Sequence, residues 1–346
     1  MRGRGRGVLA DGWYGWLIPG FHSLSELTEG WPGRLLRVGP VRGAVLFALS
    51  IRYEAVATIR TDPGWRSLLL LRALLGRRRK LLVLHFIDLP ARAGGRGAVV
   101  DRAWRPIDRW ATRRALLAAQ VLSEWEVERY ADLFGVERFR YVPFAWRMRG
   151  RGVGWAGLPG AGGASRGSGA SRGSVIAAGR AFCDWPMLFA AARGAGWPLL
   201  VICGEHDRAQ VNALNADGRA TVLCEVTPER ARELIGEAVV SVLPMYDAGV
   251  SQGHVRLCDA VDAGVPVVAT RTRSLEGYVS DGETAVLVAP GDAEALRAEI
   301  DRLVGDPAER ERLARAAFER AVAWTWEDYL AAIEAFGLAH ARGDGR

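Results

Sequence analysis

The sequence predicts an α/β protein built from two doubly wound, parallel-sheet domains. Three observations lead there. Short apolar runs alternate with helical patterns along most of the chain, which is the signature of βαβ units whose strands are buried on both faces. The length of 346 residues is about twice a typical domain of roughly 150 residues. A stretch at 147–174, RMRGRGVGWAGLPGAGGASRGSGASRGS, is dominated by Gly, Ser and Arg and loses all apolar periodicity. That is the composition of a linker. It separates a first domain, 1–146, from a second expected over 175–322, with a final segment at 323–346.

The elements follow in order. The first 50 residues are the least regular: Gly12-Trp-Tyr-Gly-Trp16 is rich in Gly and aromatics without a GxGxxG pattern, and 35–41 reads as a strand. Segments 55–59 and 80–87 read as buried strands, and Trp65–Leu75 and 100–119 as helices. A short strand at 120–122 leads through Ser123, a predicted N-cap, into a helix over 124–134 that Gly135 terminates. Segment 139–143 is the last strand of this half. In the second half, 174–178, Leu199–Cys203, 221–224, 239–243, 266–270 and 285–288 read as strands, most of them followed by helical segments. Two such domains are expected to face a cleft at the carboxyl ends of their strands.

Composition narrows the class. Hydrophobic residues are 49% and charged residues 25%, which excludes wholesale disorder and a disulfide scaffold. No run approaches the roughly 20 apolar residues of a membrane span, and the basic start, Met1-Arg-Gly-Arg-Gly-Arg-Gly7, is not followed by a signal-peptide core. The expectation is a cytoplasmic protein. Cys183, Cys203, Cys224 and Cys258 form no CxxC pair and stand in or beside apolar segments, so they read as buried free thiols. The histidines (His22, His85, His206, His254, His340) lack zinc-ligand spacing, and no metal site is expected.

Charge is divided unevenly. Residues 1–150 hold 26 basic and 13 acidic side chains; the remainder hold 20 and 26. The segment 65–80 is an apolar helix ending in Arg77, Arg78, Arg79 and Lys80. Such a segment either rests on an anionic membrane surface or is a core helix followed by a solvated turn. No nucleic-acid-binding motif accompanies it, so nucleic acid is not expected as a partner.

The segment 239–290 carries the chemistry. A strand ends in a polar, Gly-containing loop, and a helix starts at Gly253–His254, closed by Gly264. A Gly-rich loop before a helix presents unpaired N–H groups and the positive end of the helix dipole, a site suited to a diphosphate. Ser251 or Ser274 can add hydroxyl hydrogen bonds, Arg256 charge, and Asp259 an acceptor for a ribose. An ordinary βαβ crossover is the alternative reading of the same residues.

This stretch resembles the second domain of the GT-B glycosyltransferases of the retaining, family-4-like group. The chain has Asp259-Ala-Val-Asp-Ala-Gly-Val-Pro-Val-Val-Ala-Thr270 followed by Glu276-Gly-Tyr-Val-Ser-Asp-Gly-Glu-Thr-Ala-Val-Leu-Val-Ala-Pro-Gly-Asp292, in the order and spacing of that group. Ile176-Ala-Ala-Gly-Arg180 resembles its "G-R" loop, and 323–330 its Trp-containing helix that crosses back to the first domain. The resemblance implies a GT-B fold of two Rossmann-like domains. It also implies a retaining glycosyltransferase that uses a nucleotide-sugar donor as substrate, with no separate cofactor, and a hydroxyl acceptor held by the first domain. The donor-binding residues it implies are Gly179, Arg180, Ser251, Gly253, His254, Val255, Arg256 and Asp259. His85, at a strand end in the first half, is the candidate catalytic residue, with Asp88 similarly placed. Two departures stand out. Ser251 occupies the position of the group's first glutamate, and no lysine follows Arg180. They leave room for a catalytically silent scaffold protein, or for a nucleotide-sugar epimerase of the same fold.

Overall fold

A computed structural model describes residues 7–12, 14–29, 36–88, 95–145, 155 and 173–343. Apart from 155, 173 and 174, the expected linker at 147–174 lies outside them. The chain divides into two units, Met1–Pro143 with Glu327–Arg346, and Phe144–Trp326.

In the first unit, six short strands pair in parallel, the four inner ones largely apolar and buried on both faces. The elements are β1 (Val8–Ala10), α1 (Tyr14–Leu17), β2 (Phe21–Ser23), α2 (Leu24–Leu27), α3 (Gly39–Ser50), β3 (Ala55–Thr58), α4 (Trp65–Leu75), β4 (Leu81–Val83), α5 (Gly95–Ala115), β5 (Leu116–Val121), α6 (Trp125–Phe134) and β6 (Phe139–Tyr141). The sheet order is β2-β1-β3-β4-β5-β6, so the winding reverses between β1 and β3. Its core joins Leu9, Val56, Leu81 and Val83 to Trp65, Leu68 and Leu69 of α4. An edge-to-face aromatic group of Phe86, Tyr130, Phe134 and Phe139, with centroids 4.9–6.4 Å apart, seals the α6 side.

Several expectations change here. Of the strand expected at 35–41, the described residues 36–41 form none: α3 begins at Gly39 with Pro40 in its first turn, where a missing N–H costs nothing. The helix expected over 100–119 stops at Ala115, and Leu116-Leu-Ala-Ala-Gln-Val121 is a strand. Leu and Ala favour helix locally, but this run is buried between two parallel neighbours, and tertiary packing overrides propensity. Ser123 is not the N-cap of α6. Glu124 holds that place, and the Glu126 carboxylate accepts from the N–H groups of Leu122 (3.2 Å) and Ser123 (3.1 Å). Gly135 does close α6, at φ +65°.

The second unit contains β7 (Val175–Ala178), α7 (Trp185–Ala192), β8 (Leu199–Cys203), α8 (Arg208–Leu214), β9 (Ala220–Cys224), α9 (Pro228–Glu237), β10 (Val240–Leu243), α10 (His254–Ala263), β11 (Val267–Thr270), β12 (Val286–Val288), α11 (Ala293–Gly305) and α12 (Pro307–Ala321). Its sheet, ordered β12-β11-β10-β7-β8-β9, is parallel throughout and reverses between β7 and β10. The core packs Val201, Val242 and Val268 against Trp185, Leu188, Ile300 and Leu303. The two indoles placed here each find an acceptor: Trp185 donates to Asp207 (3.0 Å) and Trp197 to Asp301 (2.7 Å). All four cysteines are free, but only Cys203 and Cys258 are buried; Cys183 and Cys224 are half-buried. Cys203 and Cys224 are register partners on β8 and β9, with sulfurs 3.0 Å apart. The last helix, α13 (Trp326–Arg342), packs within the first unit from Glu327 onward. Among the described residues no helix is long and apolar enough to cross a membrane.

Candidate functional site

The reversal between β7 and β10 sets the site. In open parallel sheets the connections leaving such a point diverge and open a crevice at the carboxyl ends of the strands. The loop after β7 carries Gly179 and Arg180; the loop after β10 runs from Pro244 to Gly253. Backbone bonds join the two. Cys183 bridges Met245, Asp184 N–H donates to the Pro244 carbonyl (2.7 Å), and Tyr246 N–H donates to Phe182 (2.9 Å). Phe182 takes a left-handed φ of +57° to do this, a strained conformation of the kind that clusters at functional sites. Two glycines lie tight against side-chain sulfurs, which would have to move for a larger residue. A Cβ at Gly179 would lie 2.2 Å from the Cys183 sulfur, and one at Gly253 would lie 2.5 Å from the Met245 sulfur. Gly253 also sits at φ +82°.

Gly253 launches α10 with no side-chain cap. The first intrahelical bond belongs to Leu257, whose N–H donates to the Gly253 carbonyl (2.9 Å). The N–H groups of His254, Val255 and Arg256 therefore precede the helix ladder, at the positive end of its dipole. This is an anion-binding geometry.

The side chains are more committed than the sequence suggests. The His254 ring is buried, and its Nε2–H donates to the Ser274 carbonyl (2.7 Å). A carbonyl only accepts, so the proton is on Nε2. Burial pulls this histidine down to about 4, which keeps it neutral near pH 7. It packs 4.2 Å from the Tyr278 ring and anchors the start of α10; what His254 offers an anion is its backbone N–H. Ser274 pairs through its hydroxyl with Thr272 (2.8 Å). Arg256 is ion-paired to Asp259 (2.7 Å), one turn on. Burial pushes Asp259 up to about 6, and Arg256 opposes that shift. The Arg180 guanidinium lies half-exposed, 3.3 Å from Glu225 and 3.2 Å from the Val226 carbonyl. Ser251 is buried and Val255 exposed. Where the sequence lacks a lysine after Arg180, Asp184 caps α7 by accepting from Met187 N–H (3.0 Å). Gly179, Arg180, Ser251, Gly253, His254, Val255, Arg256 and Asp259 thus all lie on the connections that leave β7 and β10, or on α10.

In the first unit, His85 follows β4 at a left-handed φ of +47°. Its backbone N–H donates to Gln120 (2.8 Å), and its ring meets the Tyr329 hydroxyl (2.5 Å), which in turn meets Tyr14 (3.2 Å). Asp88 is half-buried between Arg60 (3.3 Å) and Arg105 (3.6 Å). Burial raises its carboxyl and those arginines hold it back. It is part of an ion network, with Arg60 also bonded to Asp108 (2.6 Å) and stacked 4.6 Å over Phe86. Sequence reading missed Tyr14, Gln120 and Tyr329, because contacts across 244 and 315 positions leave no local trace. It also missed Asp11 and Asp62 beside β1 and β3. Arg42 is paired with Asp11, and Asp62 is raised by burial and by the Asp11 charge. Among the described residues no three His, Cys, Asp or Glu side chains gather as metal ligands.

Comparison with known proteins fits this geometry. Residues 185–306 match the family described as Glycosyl transferases group 1. A D-inositol 3-phosphate glycosyltransferase of Arthrobacter sp. is 33% identical over 150 residues, which is 40% of this chain and 35% of that protein. An MMP alpha-(1->4)-mannosyltransferase of Mycolicibacterium hassiacum is 34% identical over 108 residues, 31% of this chain and 26% of that one. The matches thus span about a third or less of these relatives. Among solved structures, HepE of Anabaena in complex with UDP and glucose covers 96% of this chain and 99% of its own at 13% identity, with a TM-score of 0.67. Sucrose-phosphate synthase of Thermosynechococcus elongatus covers 88% of this chain and 78% of its own at 20% identity, with a TM-score of 0.66. The fold is the GT-B fold that the sequence predicts.

Proposed function

We propose that this chain, whose residues 185–306 match the glycosyl transferases group 1 family, transfers a glycosyl group from a nucleoside diphosphate sugar to a hydroxyl acceptor, with retention of anomeric configuration. The observation that carries this reading is the uncapped start of α10 at the reversal point of the second sheet. When the glycosidic bond to the donor breaks, negative charge grows on the departing diphosphate. Fixed dipoles aimed at that charge need no reorganisation and lower the barrier. The amides of residues 254–256 supply them. Arg180 supplies mobile charge, exchanging its exposed contact with Glu225 for the diphosphate. In this reading Asp259 accepts a ribose hydroxyl with one oxygen while Arg256 holds the other. His85, set by Tyr329 and Gln120, faces the acceptor chemistry of the first unit as a hydrogen-bonding group. The UDP in the Anabaena structure supports a nucleoside diphosphate as the leaving group.

One observation favours a second reading, a silent scaffold. Ser251 supplies no carboxylate to the donor sugar, and the Arg256 charge is already offset by Asp259. Product analysis separates the two. UDP-, GDP- and ADP-sugars are incubated with the chain and simple hydroxyl acceptors, and release of nucleoside diphosphate is measured. Turnover that needs an acceptor and falls at least tenfold in Arg180→Ala supports transfer. Binding without release from any donor would support the scaffold, and interconversion of one nucleotide sugar into its epimer without a glycosidic product an epimerase.

A further inference from the structure

The first unit holds an open cavity of about 910 Å³ that the proposed transfer does not use. It lies at the amino-terminal edge of the first sheet. Gly76 and the three arginines after it precede β4, Arg114 precedes β5, and Glu137 and Arg138 precede β6. These strands are adjacent and parallel, so the segments entering them share one edge. His85 and Asp88 follow β4 and occupy the opposite edge.

Six arginines line the cavity: Arg77, Arg78, Arg79, Arg114, Arg138 and Arg140. The one acidic residue in the lining is Glu137. Among the described residues, the ion pairs of this unit involve Arg42, Arg60, Arg66 and Arg105, none of which lines the cavity. Three of the lining arginines bond instead to backbone carbonyls. Arg114 donates to Ala73 (2.6 Å), Arg138 to Arg113 (3.0 Å) and Leu116 (3.1 Å), and Arg140 to Phe139 (2.9 Å). Those bonds fix these three guanidinium groups without neutralising them, while Arg77, Arg78 and Arg79 are exposed beside them. The surroundings add more positive charge. Buried Arg72 donates to the Arg78 carbonyl (2.6 Å), and its Nε has no partner. Burial lowers Arg138, with Arg79 adding to the shift; burial also lowers Lys80, with Arg72 and Arg78 adding to it. Lys80 itself is spent on the end of α3, donating to the carbonyls of Ser50 (3.0 Å) and Tyr53. It is therefore not part of the free basic surface expected from the sequence.

We propose that this cavity binds clustered phosphate groups. Arginine forks match phosphate oxygens two at a time, and a concave array, fixed on its Arg114, Arg138 and Arg140 side, concentrates their field. The room exceeds that needed for one phosphate, which points to a polyphosphate or a phosphomonoester with further phosphates alongside. The same chemistry is offered by a soluble ligand and by a lipid headgroup. Leu74 and Leu75, exposed just before Gly76, would meet the lipid surface in the second case.

The test titrates inorganic tripolyphosphate into the full chain by calorimetry at about 150 mM salt, where loose surface charge is screened. The expected result is binding at least tenfold tighter than that of sulfate, weakened at least tenfold in Arg77→Ser/Arg79→Ser. Both positions are exposed, and the unliganded melting temperature should hold or rise as repulsion is relieved. Arg140→Ser, on another strand, should weaken binding in the same direction and guards against a local fault in the first variant. Sedimentation with phosphatidylcholine vesicles doped with phosphatidate or phosphatidylserine separates the sources. Retention by phosphatidate that tripolyphosphate competes away assigns a headgroup; tripolyphosphate binding without vesicle retention assigns a soluble phosphate. Tripolyphosphate binding no tighter than sulfate, or unchanged in the variants, would overturn the proposal. So would equal retention by both anionic lipids, or retention of single-stranded RNA, that tripolyphosphate does not disturb.

Discussion

The two sheets reverse their winding in the same way but equip the reversal differently. In the second unit the point between β7 and β10 is furnished mainly by backbone: joined loops, tightly packed glycines and an uncapped helix start. In the first unit the point between β1 and β3 is furnished by side chains. Asp11 pairs with Arg42, Asp62 lies close by, and the Tyr14–Tyr329–His85 chain ties α13 to the end of β4. A backbone site tolerates wide side-chain change and keeps its glycines; a side-chain site draws on residues scattered over the chain.

The largest expected effect is a pH dependence at the backbone site. The native His254 titrates near 4 and the unfolded residue near 6.5. Between those values the unfolded chain binds the proton and the native one does not, so stability rises with pH across the window and is lost as pH falls. The term amounts to about 3 kcal/mol by linkage. Asp259, raised to about 6, acts in the opposite sense between about 4 and 6, so the informative quantity is a difference. Urea midpoints of wild type and His254→Gln, compared from pH 7 to 4, should converge or cross as the wild type loses its excess. Parallel curves would mean that the ring is not held neutral.

Gly253→Ala should cost about 2 kcal/mol, from a left-handed φ and a close approach to Met245. It should also weaken diphosphate binding by tilting the start of α10. A variant that melts with the wild type would show that the loop carries no conformational demand. Arg180→Ala comes next. Its exposed ion pair predicts little change in melting temperature, but about a tenfold (~1.4 kcal/mol) loss of nucleoside diphosphate affinity. The smallest effect is that of Tyr329→Phe in the other unit. Loss of the hydroxyl between Tyr14 and His85 should cost about 1 kcal/mol and leave nucleoside diphosphate affinity alone. If Tyr329→Phe weakened that affinity as much as Arg180→Ala does, the assignment of the donor to the second unit alone would fail.

The same contrast explains what could be read in advance. The α10 region was legible because Gly253, Gly264 and the strands on either side are local signals for a turn, a helix end and a buried run. The strands of the second sheet were found to within a residue or two for that reason. In the first unit, β1 and β2 are three residues long and carry no alternation. Pro40 marked a helix start inside what read as a strand. The Leu-Ala run at 116–119 hid β5 behind a helical composition. Roles were harder to read than places. Nothing in the order of residues shows that His254 turns its ring to Ser274, or that Arg256 spends its charge on Asp259. Nor does it show that arginines preceding three different strands come to line one cavity, since parallel pairing alone brings them to the same edge.

The most direct test of the central claim is an amide chemical-shift map of the full chain, titrated in turn with UDP, GDP and ADP. At least one diphosphate should shift the N–H signals of residues 253–256, together with Gly179 and Arg180, in a single saturating process. Shifts confined to the first unit, with the signals of 253–256 unmoved by all three nucleotides, would contradict that claim.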